Sequence, residues 1–275
     1  MSPPVYPMTE EEHRLLDEFV SDLFGLHFPD RKRDILATRL EPRLQALHLH
    51  RFTDYYLMLQ YDAHDEIQQL AELISNNETY FFRETRQFEA LFDEGIDRLT
   101  ASANVKNLRL LCAGCSSGEE PYTLSIYASN QGVKLLGREI SIAGFDIDHS
   151  RLEEARAASY TKRSLRAASE DQIRDYFSRN GDRYELLPRY RKPVSFSHGN
   201  ILDLPTYPST GYDAVFCRNV LIYFSESALH RAIENFAAVL RPGGLLFLGH
   251  SESIIGLSAN FETVRLNRCI AYQRI

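Results

Sequence analysis

The chain lacks any hydrophobic run long enough to cross a membrane, and it has no surplus of positive charge. No stretch approaches the roughly 20 apolar residues that a membrane-spanning helix needs. The N-terminus also lacks the basic and then apolar pattern of a signal peptide, so a cytoplasmic protein without membrane insertion is expected. The net charge of -7 over 275 residues argues against general nucleic-acid binding.

Cysteine is scarce as well, with four residues in the whole chain. Cys112 and Cys115 form a C-x-x-C pair, but the pair spans the end of an apolar run and a Gly-rich turn. Because there is no second pair and no nearby histidine, neither a metal site nor a redox motif is predicted. The hydrophobic content of 44% is sufficient for one large packed domain or two smaller ones.

The hydrophobic pattern divides the chain into an N-terminal helical region and a following α/β region. Residues 9–75 show only helical periodicity, and Thr9 with Glu12 forms a capping box at the first helix start. After the polar hinge at 75–77, strands alternate with helices, which predicts a parallel sheet covered by helices on both faces. We therefore predict a helical domain at 1–75 and an α/β domain at 76–275.

Two parts of the α/β region depart from simple alternation. Residues 176–197 read as a strand-rich insert, with strands expected at Arg183–Leu187 and Val194–Phe196. The last stretch, Phe261–Arg274, alternates like two strands that close the sheet. A small β-subdomain is predicted for the insert.

The segment from Leu108 to Tyr122 is the most informative part of the sequence. An apolar run enters a turn between Gly114 and Gly118 and continues as a helix start. Such a junction presents backbone N–H groups and allows close approach of a ligand. The turn lacks the third glycine of a dinucleotide fingerprint, and Glu119 and Glu120 would repel a pyrophosphate. The loop therefore favours a cofactor that is not an anion and disfavours a dehydrogenase.

A second predicted strand ends in Asp146, and an acid at such a strand end can accept hydrogen bonds from ribose hydroxyls. A ligand with a ribose and a positive charge, but without phosphates, agrees with both segments. S-adenosyl-L-methionine is such a ligand, because its sulfonium and amino groups suit Glu119 or Glu120. The alternative is a plain helix start, since acids in the first turn also favour the helix dipole.

Basic residues are concentrated around the second predicted helix. The simplest interpretation is a solvated helix face, and the alternative is a docking surface for an acidic partner. The cluster consists of Arg31, Lys32, Arg33, Arg39, Arg43 and Arg51.

Four segments together resemble the CheR family of chemoreceptor glutamate O-methyltransferases. The segments are Asn77–Glu84, Ser116–Tyr122, Phe216–Phe224 and Leu240–Glu252, and the first and third are specific to that family. The resemblance covers nearly the whole chain. It implies an N-terminal helical domain, a doubly wound, Rossmann-like class I methyltransferase domain and a small antiparallel β-subdomain.

The resemblance also implies an activity, a cofactor and a partner. The activity is methylation of glutamate side chains on the helical cytoplasmic region of a bacterial chemoreceptor, with S-adenosylmethionine as methyl donor and a monomeric enzyme expected. In some members the β-subdomain binds a receptor's C-terminal pentapeptide. The insert in this sequence carries no motif that shows whether it binds such a peptide. The matching cofactor positions are Asn77, Thr79, Arg83, Glu119 or Glu120, Asp146, Asn200, Ile201, Arg218 and Asn219.

The chemistry assigns Arg83 and Tyr223 to the acceptor. A glutamate is already ionised near pH 7, because its reference pKa is about 4.3, so no general base is required. Arg83 can align a carboxylate through paired N–H donors, and the Tyr223 hydroxyl can share that task. The structural alternatives are an Arg83 ion pair with Glu78 or Glu84 and a Tyr223 that belongs to the core.

Two other functions remain open from the sequence. The chain could bind S-adenosylmethionine as a signalling scaffold without catalysis, or it could methylate a small molecule or a nucleic acid. Intact Arg83 and Tyr223 argue against the first, and the negative net charge and the helical domain argue against the second.

Overall fold

The computed structural model describes residues 6–61, 64–101, 106–131, 135, 137–206, 211–267 and 269–275. Residues 1–5, 62 and 63 of the predicted N-terminal domain lie outside the described residues. No helix among the described residues is long and apolar enough to cross a membrane.

Four helices form the N-terminal region. Thr9 caps the first of them, its side chain accepting a bond from the Glu12 backbone, while the Glu12 carboxylate binds the Thr9 backbone in return. The apolar faces of these helices enclose a core of their own. The helices are α1 (Glu10–Phe24), α2 (Arg33–Ala46), α3 (Phe52–Tyr61) and α4 (His64–Ile74).

The rest of the chain alternates between strands and helices. The strands are β1 (Asn107–Ala113), β2 (Glu139–Asp146), β3 (Ser159–Tyr160), β4 (Phe177–Asn180), β5 (Arg183–Leu186), β6 (Val194–His198), β7 (Tyr212–Cys217), β8 (Leu240–Leu248), β9 (Phe261–Leu266) and β10 (Cys269–Arg274). The helices are α5 (Arg86–Ala90), a π-helical turn (Leu91–Gly95), α6 (Ile96–Thr100), α7 (Glu119–Asn130), α8 (His149–Ala157), α9 (Glu170–Tyr176), α10 (Pro188–Arg191) and α11 (Glu226–Val239).

Seven strands form the main sheet in the order β6-β2-β1-β7-β8-β10-β9. The first five of these run parallel, and β10 pairs antiparallel with both β8 and β9. Apolar side chains on both faces of the sheet are covered by helices, which confirms the predicted doubly wound architecture. The strand order reverses between β1 and β7, and ligands bind at the carboxyl ends of the strands at such a point.

The small antiparallel sheet is present, but its composition differs from the sequence prediction. It contains β3, β4 and β5 in the order β3-β5-β4. The strand predicted at Val194–Phe196 does not belong to it, because β6 pairs parallel with β2 as the edge of the main sheet. The predicted closing pair is confirmed as β9 and β10. Strand β8 begins at Leu240, so Pro242–Gly244 lies inside it.

The N-terminal helices meet the α/β region beside the carboxyl ends of the central strands. Leu26 forms an isolated antiparallel bridge with Phe224. The backbone N–H of His27 donates to the carbonyl of Tyr223 at 2.8 Å. The Asn200 side chain donates to the carbonyl of Leu23 at 2.7 Å. These contacts place the end of α1 over the region where the strand order reverses.

Candidate active site

A cleft lies at the carboxyl ends of β1, β2 and β7, between the N-terminal helices and the sheet. The cleft and the solvent at its mouth together occupy about 950 Å³. An extended segment, residues 75–80, runs from α4 along one wall. Ten of the eleven residues predicted for the site line the cleft: Asn77, Thr79, Arg83, Glu120, Asp146, Asn200, Ile201, Arg218, Asn219 and Tyr223.

The Gly-rich turn after β1 has the backbone conformation that the sequence indicated. Gly114 has a φ of 73° and Gly118 a φ of 88°, a region that side chains disfavour. A Cβ on Gly114 would stand 2.7 Å from Val220 Cγ2, so the close approach of the loop after β7 also requires glycine there. The loop between β1 and α7 therefore lies tightly against the end of β7.

Asp146 anchors this turn from the end of β2. Its carboxylate accepts a hydrogen bond from the Ser116 backbone N–H at 2.7 Å and from the Asp148 backbone N–H at 3.0 Å. Burial raises the pKa of Asp146 to about 6 in spite of these bonds. Each carboxylate oxygen can accept more than one bond, so Asp146 retains capacity for a ligand.

The two consecutive glutamates of α7 point in different directions. Glu119 is buried against the Ser117 hydroxyl, which donates to it at 2.8 Å, and it does not line the cleft. Glu120 lines the cleft, and burial raises its pKa although the Arg218 guanidinium opposes the shift. Of the two residues that the sequence left open, Glu120 is therefore the one placed to meet a ligand in the cleft.

Arg218 stands at the centre of the charged groups behind the cleft. Its guanidinium lies 3.0 Å from Glu120 and 3.4 Å from Glu84, and it donates to the Arg83 carbonyl at 2.7 Å. It also covers the Phe88 ring at 4.7 Å. The Arg218 side chain is only 2% exposed, and among the described residues its Nε–H has no hydrogen-bond partner. That buried donor lacks an acceptor, which a ligand could supply.

Glu84 joins the same network from the segment after Arg83. Burial acts to raise its pKa, but the Arg218 charge and a 2.9 Å contact with His250 outweigh burial and lower it. Glu84 has a φ of 49° and Phe82 a φ of 62°, so two non-glycine residues flank Arg83 in the left-handed region. The Arg83 backbone is thereby held in an uncommon turn.

The loop after β7 is fastened by Glu252. One carboxylate oxygen accepts from the backbone N–H groups of Gly249 at 2.6 Å and Asn219 at 2.9 Å. The other accepts from Val220 at 2.9 Å and Ile222 at 3.3 Å. Asn219 has a φ of 61°, as in a tight turn, and it also lines the cleft.

The two residues predicted for the acceptor both line the cleft. Arg83 donates to the Glu78 carbonyl at 2.7 Å and stands 5.6 Å from the centre of the Tyr80 ring. Its Nε is 3.8 Å from Glu84, so the predicted structural alternative is present only as a long contact. The hydroxyl of Tyr223 accepts a short hydrogen bond from the Asn76 side-chain amide. Asn76 therefore sets the direction of that hydroxyl.

The remaining predicted residues combine cleft lining with structural contacts. The Asn77 side chain donates to Asp148 at 2.6 Å, and the Asn200 side chain holds α1. Ile201 is 5% exposed and packs in the core beside α11. Thr79 lies on the wall formed by the extended segment.

Sequence reasoning did not assign three residues that shape the site. They are Asn76, Asp148 and Glu252, which orient Tyr223, Asn77 and the loop after β7 respectively. Asn76 stands in the predicted hinge, and Glu252 ends the fourth family-like segment. Their positions were visible in the sequence, but their partners are distant along the chain.

Three of the six residues in the basic cluster contact other residues of the helical region. Arg43 binds Glu66 at 2.8 Å and Arg51 binds Asp54 at 2.8 Å. Arg39 donates to the carbonyls of Ile74 and Ser75, and burial lowers its pKa. Arg39, Arg43 and Arg51 are thus engaged within the helical region, and a docking face that includes them stays a prediction.

The residues of the cluster nearest the cleft are at its start. Lys32 lies in the short turn Asp30–Lys32 before α2, 5.8 Å from the centre of the Tyr223 ring. Arg31 beside it is exposed. Arg33 reaches Glu10 only at 3.7 Å. Positive charge thus remains at the cleft mouth on the side of the N-terminal helices.

Two family models match this chain. The model described as CheR methyltransferase, SAM binding domain, covers residues 77–270. The model described as CheR methyltransferase, all-alpha domain, covers residues 11–75. Together they span both the helical region and the region that forms the main sheet.

Several named proteins are similar over almost their whole length. Chemotaxis protein methyltransferase 2 of Vibrio cholerae is 34% identical over 253 residues, which is 91% of this chain and 88% of that protein. The chemotaxis protein methyltransferase of Vibrio parahaemolyticus is 33% identical, with 97% and 98% covered. That of Salmonella typhimurium is 33% identical, with 93% and 88% covered.

Proposed function

Because the chain belongs to the CheR methyltransferase family, we propose that it transfers a methyl group from S-adenosylmethionine to glutamate side chains of a bacterial chemoreceptor. The products are glutamate 5-O-methyl esters and S-adenosylhomocysteine. One observation carries the proposal: a single cleft contains buried Asp146 and half-buried Glu120, with Arg83 and Tyr223 on its walls. Carboxylates for a cationic donor and a guanidinium for an anionic acceptor thus meet in one place.

The residues of the cleft fit this cofactor. Burial disfavours the charged forms of Glu120 and Asp146, and a positively charged ligand would stabilise those forms. The unpartnered Nε–H of Arg218 needs an acceptor, and the carboxylate of the methionine moiety would provide one. A cofactor with an amino group, a sulfonium and a carboxylate therefore matches both signs of charge in the cleft.

Individual residues are assigned on these contacts and on the family positions. Asp146 binds the ribose hydroxyls while it continues to hold the Ser116 backbone. Glu120 and Arg218 bind the charged groups of the methionine moiety. The remaining cofactor contacts in the proposal are Asn77, Thr79, Arg83, Asn200, Ile201 and Asn219.

When bound, the cofactor supplies an electrophilic methyl group on a positively charged sulfur. The protein aligns the acceptor, because the glutamate carboxylate needs no deprotonation near neutral pH. Arg83 holds that carboxylate through its planar donors and offsets the loss of water around it. Alignment of two reactants in contact distance lowers the barrier without any acid or base.

Tyr223 provides a second contact to the acceptor carboxylate, so Arg83 does not have to bind that carboxylate tightly. A carboxylate paired too strongly with a guanidinium becomes a weaker nucleophile, so a neutral donor is a useful second contact. The Tyr223 hydroxyl accepts its bond from Asn76 and thus keeps its own proton for the acceptor. Lys32 near the Tyr223 ring adds positive charge on the side from which an acidic partner would arrive.

The receptor side of the proposal rests on the similarity to chemotaxis protein methyltransferases. The partner is the helical cytoplasmic region of a chemoreceptor, and the enzyme acts on it from the cytoplasm as a monomer. Association is guided by Arg31 and Lys32, whereas Arg43 and Arg51 stabilise the helical region. Guidance by exposed charges mainly affects the association rate and depends on ionic strength.

The test is transfer of label from tritiated S-adenosylmethionine to membranes of the source organism. The expected result is one labelled membrane band that mass spectrometry identifies as a chemoreceptor, with Arg83→Ala protein as the inactive control. Binding of the cofactor without any transfer would support a scaffold instead. Label on RNA or on a small metabolite would assign the enzyme to another substrate.

A further inference from the structure

Next to the cleft mouth, a cluster formed by Glu78, Tyr80, Arg163 and Arg166 has no part in the proposed reaction. We refer to it as the arginine clamp. The Glu78 carboxylate lies between the two arginines, 3.1 Å from Arg163 and 2.5 Å from Arg166. The Arg166 guanidinium stacks on the Tyr80 ring at 3.7 Å. The clamp is therefore a preformed site for a carboxylate, and Glu78 fills it in this structure.

The arginine clamp is connected directly to Arg83. The carbonyl of Glu78 accepts the 2.7 Å hydrogen bond from Arg83, and the guanidinium groups of Arg166 and Arg83 both lie near the Tyr80 ring. The backbone N–H of Phe81 also donates to the Ser164 carbonyl at 2.9 Å, which attaches the turn that carries Arg163 to this segment. A carboxylate in the clamp would thus lie beside the one that Arg83 aligns.

The charged groups of the clamp are accessible to a partner that approaches from solution. The Arg163 side chain is 79% exposed and the Glu78 side chain 47% exposed. An ion pair this open to water contributes little to stability. Replacement of the Glu78 carboxylate in the clamp by another carboxylate therefore costs little free energy. In a chain of net charge -7, two arginines around one exposed carboxylate form a local reversal of charge.

We propose that Arg163 and Arg166 bind a second carboxylate of the receptor helix while Arg83 aligns the acceptor glutamate, and that Glu78 leaves the clamp when they do. This inference rests on the proposed function. An acidic side chain three or four residues from the acceptor lies on the same face of a helix, about 5–6 Å away. The arginine clamp and Arg83 are joined through Glu78, so together they can bind two such carboxylates at once. A single glutamate can occupy only one of the two sites.

The arginine clamp would then help to select which glutamates are methylated. An acceptor with an acidic neighbour on the same face fills both sites, and an acceptor without one fills only the Arg83 site. The effect appears in the apparent affinity for the receptor and not in the chemical step. Arg163 and Arg166 are positioning residues in this sense.

The test measures initial methylation rates on a purified cytoplasmic fragment of the receptor, with S-adenosylmethionine saturating. The double variant Arg163→Gln with Arg166→Gln should raise KM for the receptor by about fivefold to tenfold, the sum expected for two exposed charged contacts. Its kcat and its Kd for S-adenosylmethionine should stay within about twofold of the wild type. The double variant Arg156→Gln with Arg174→Gln, which removes two exposed arginines paired within α8 and α9, is the charge-matched control and should change none of these three quantities.

Glu78→Gln tests the exchange itself. Removal of the occupant charge should lower KM for the receptor, by about twofold to threefold, because the two arginines become available. A higher KM in Glu78→Gln would overturn the exchange. An unchanged KM in the double arginine variant would overturn the docking role, and so would a parallel loss of cofactor affinity, which would show that the clamp only supports the cleft wall.

These outcomes are separable from failure of the proposed function. If the wild-type protein transfers no label to the receptor, the function fails before any clamp variant is made. If the wild type is active and the double variant behaves like the wild type, only the clamp proposal fails. Thermal denaturation of each variant confirms that it is folded at the assay temperature.

Discussion

Replacement of Glu252 by glutamine is expected to damage the active site from a distance. Glu252 fastens the loop after β7 through four backbone N–H groups, at 2.6, 2.9, 2.9 and 3.3 Å. Glutamine has the same shape but keeps only one acceptor oxygen. Its amide NH2 group would face two N–H donors that it cannot satisfy. The loop that carries Asn219 and Tyr223 would therefore shift.

The magnitude follows from those contacts. A buried donor left without its acceptor costs about 1–3 kcal/mol, so two N–H donors left unsatisfied at this half-buried site should lower the free energy of unfolding by about 2–4 kcal/mol. A displacement of about 1 Å at an aligned reaction centre can cost up to about a hundredfold in rate, so kcat should fall by about tenfold or more. Cofactor affinity should weaken less, because Asp146 and Glu120 lie on other strands and helices.

Urea denaturation and initial methylation rates test this prediction together. Glu262→Gln, on the exposed face of β9, is the matched control and should be neutral in both. Glu252→Gln protein with the stability and kcat of the wild type would refute the reasoning. A loss of stability with unchanged kcat would show that Glu252 supports the fold but does not position Tyr223.

Four further changes test the cleft. Arg83→Lys should lower kcat by about tenfold or more, with an unchanged melting temperature, because an ammonium lacks the planar pair of donors. Asp146→Asn, which unlike alanine keeps one acceptor for the turn, should weaken cofactor binding in calorimetry by about tenfold. Wild-type affinity should fall as the pH drops through about 6, where Asp146 takes up a proton, and Asp146→Asn should lack that step. Added salt should raise KM for the receptor without changing cofactor affinity, since the charges around Lys32 are exposed to screening.

For Asp146, cofactor affinity and folding stability are expected to change in opposite directions with pH. Affinity should fall as the pH drops, whereas the contribution of Asp146 to stability should fall as the pH rises. A folded-state pKa raised to about 6 means that the folded protein binds this proton more tightly than the unfolded chain. The contribution is fully present below the unfolded pKa and is lost as the pH rises through about 6. Cofactor binding, which stabilises the ionised form, should reduce this loss in a denaturation experiment that includes S-adenosylmethionine.

Much of the fold and the resemblance to the CheR family could be predicted from the sequence, and both are confirmed. The strand, turn and helix around Gly114 and Gly118 followed from local rules, because an apolar run, two glycines and a helix start specify that junction. The capping box at Thr9 is equally local and forms as predicted. Such features depend on residues that are close along the chain.

Features that depend on distant partners could not be predicted in this way. Glu119 and Glu120 differ by about 100° around their helix, and only the rotation of α7 against the sheet decides which one faces the cleft. The short strand at Val194–His198 has no local signal that distinguishes the main sheet from the small one. The ion pair between Arg43 and Glu66 joins two helices, so a basic face in the sequence became an internal contact.

The most direct test of the central claim is the alkali lability of the methylated receptor. A methyl ester on a glutamate carboxylate is hydrolysed by mild alkali to volatile methanol, whereas methylated nitrogen and ordinary ethers survive. After incubation with tritiated S-adenosylmethionine, the label on the receptor should be released quantitatively as methanol at high pH, and little should form with Arg83→Lys protein. Label that stays on the receptor through alkali would contradict carboxylate methylation and the assignment of Arg83 and Tyr223 to an acceptor glutamate.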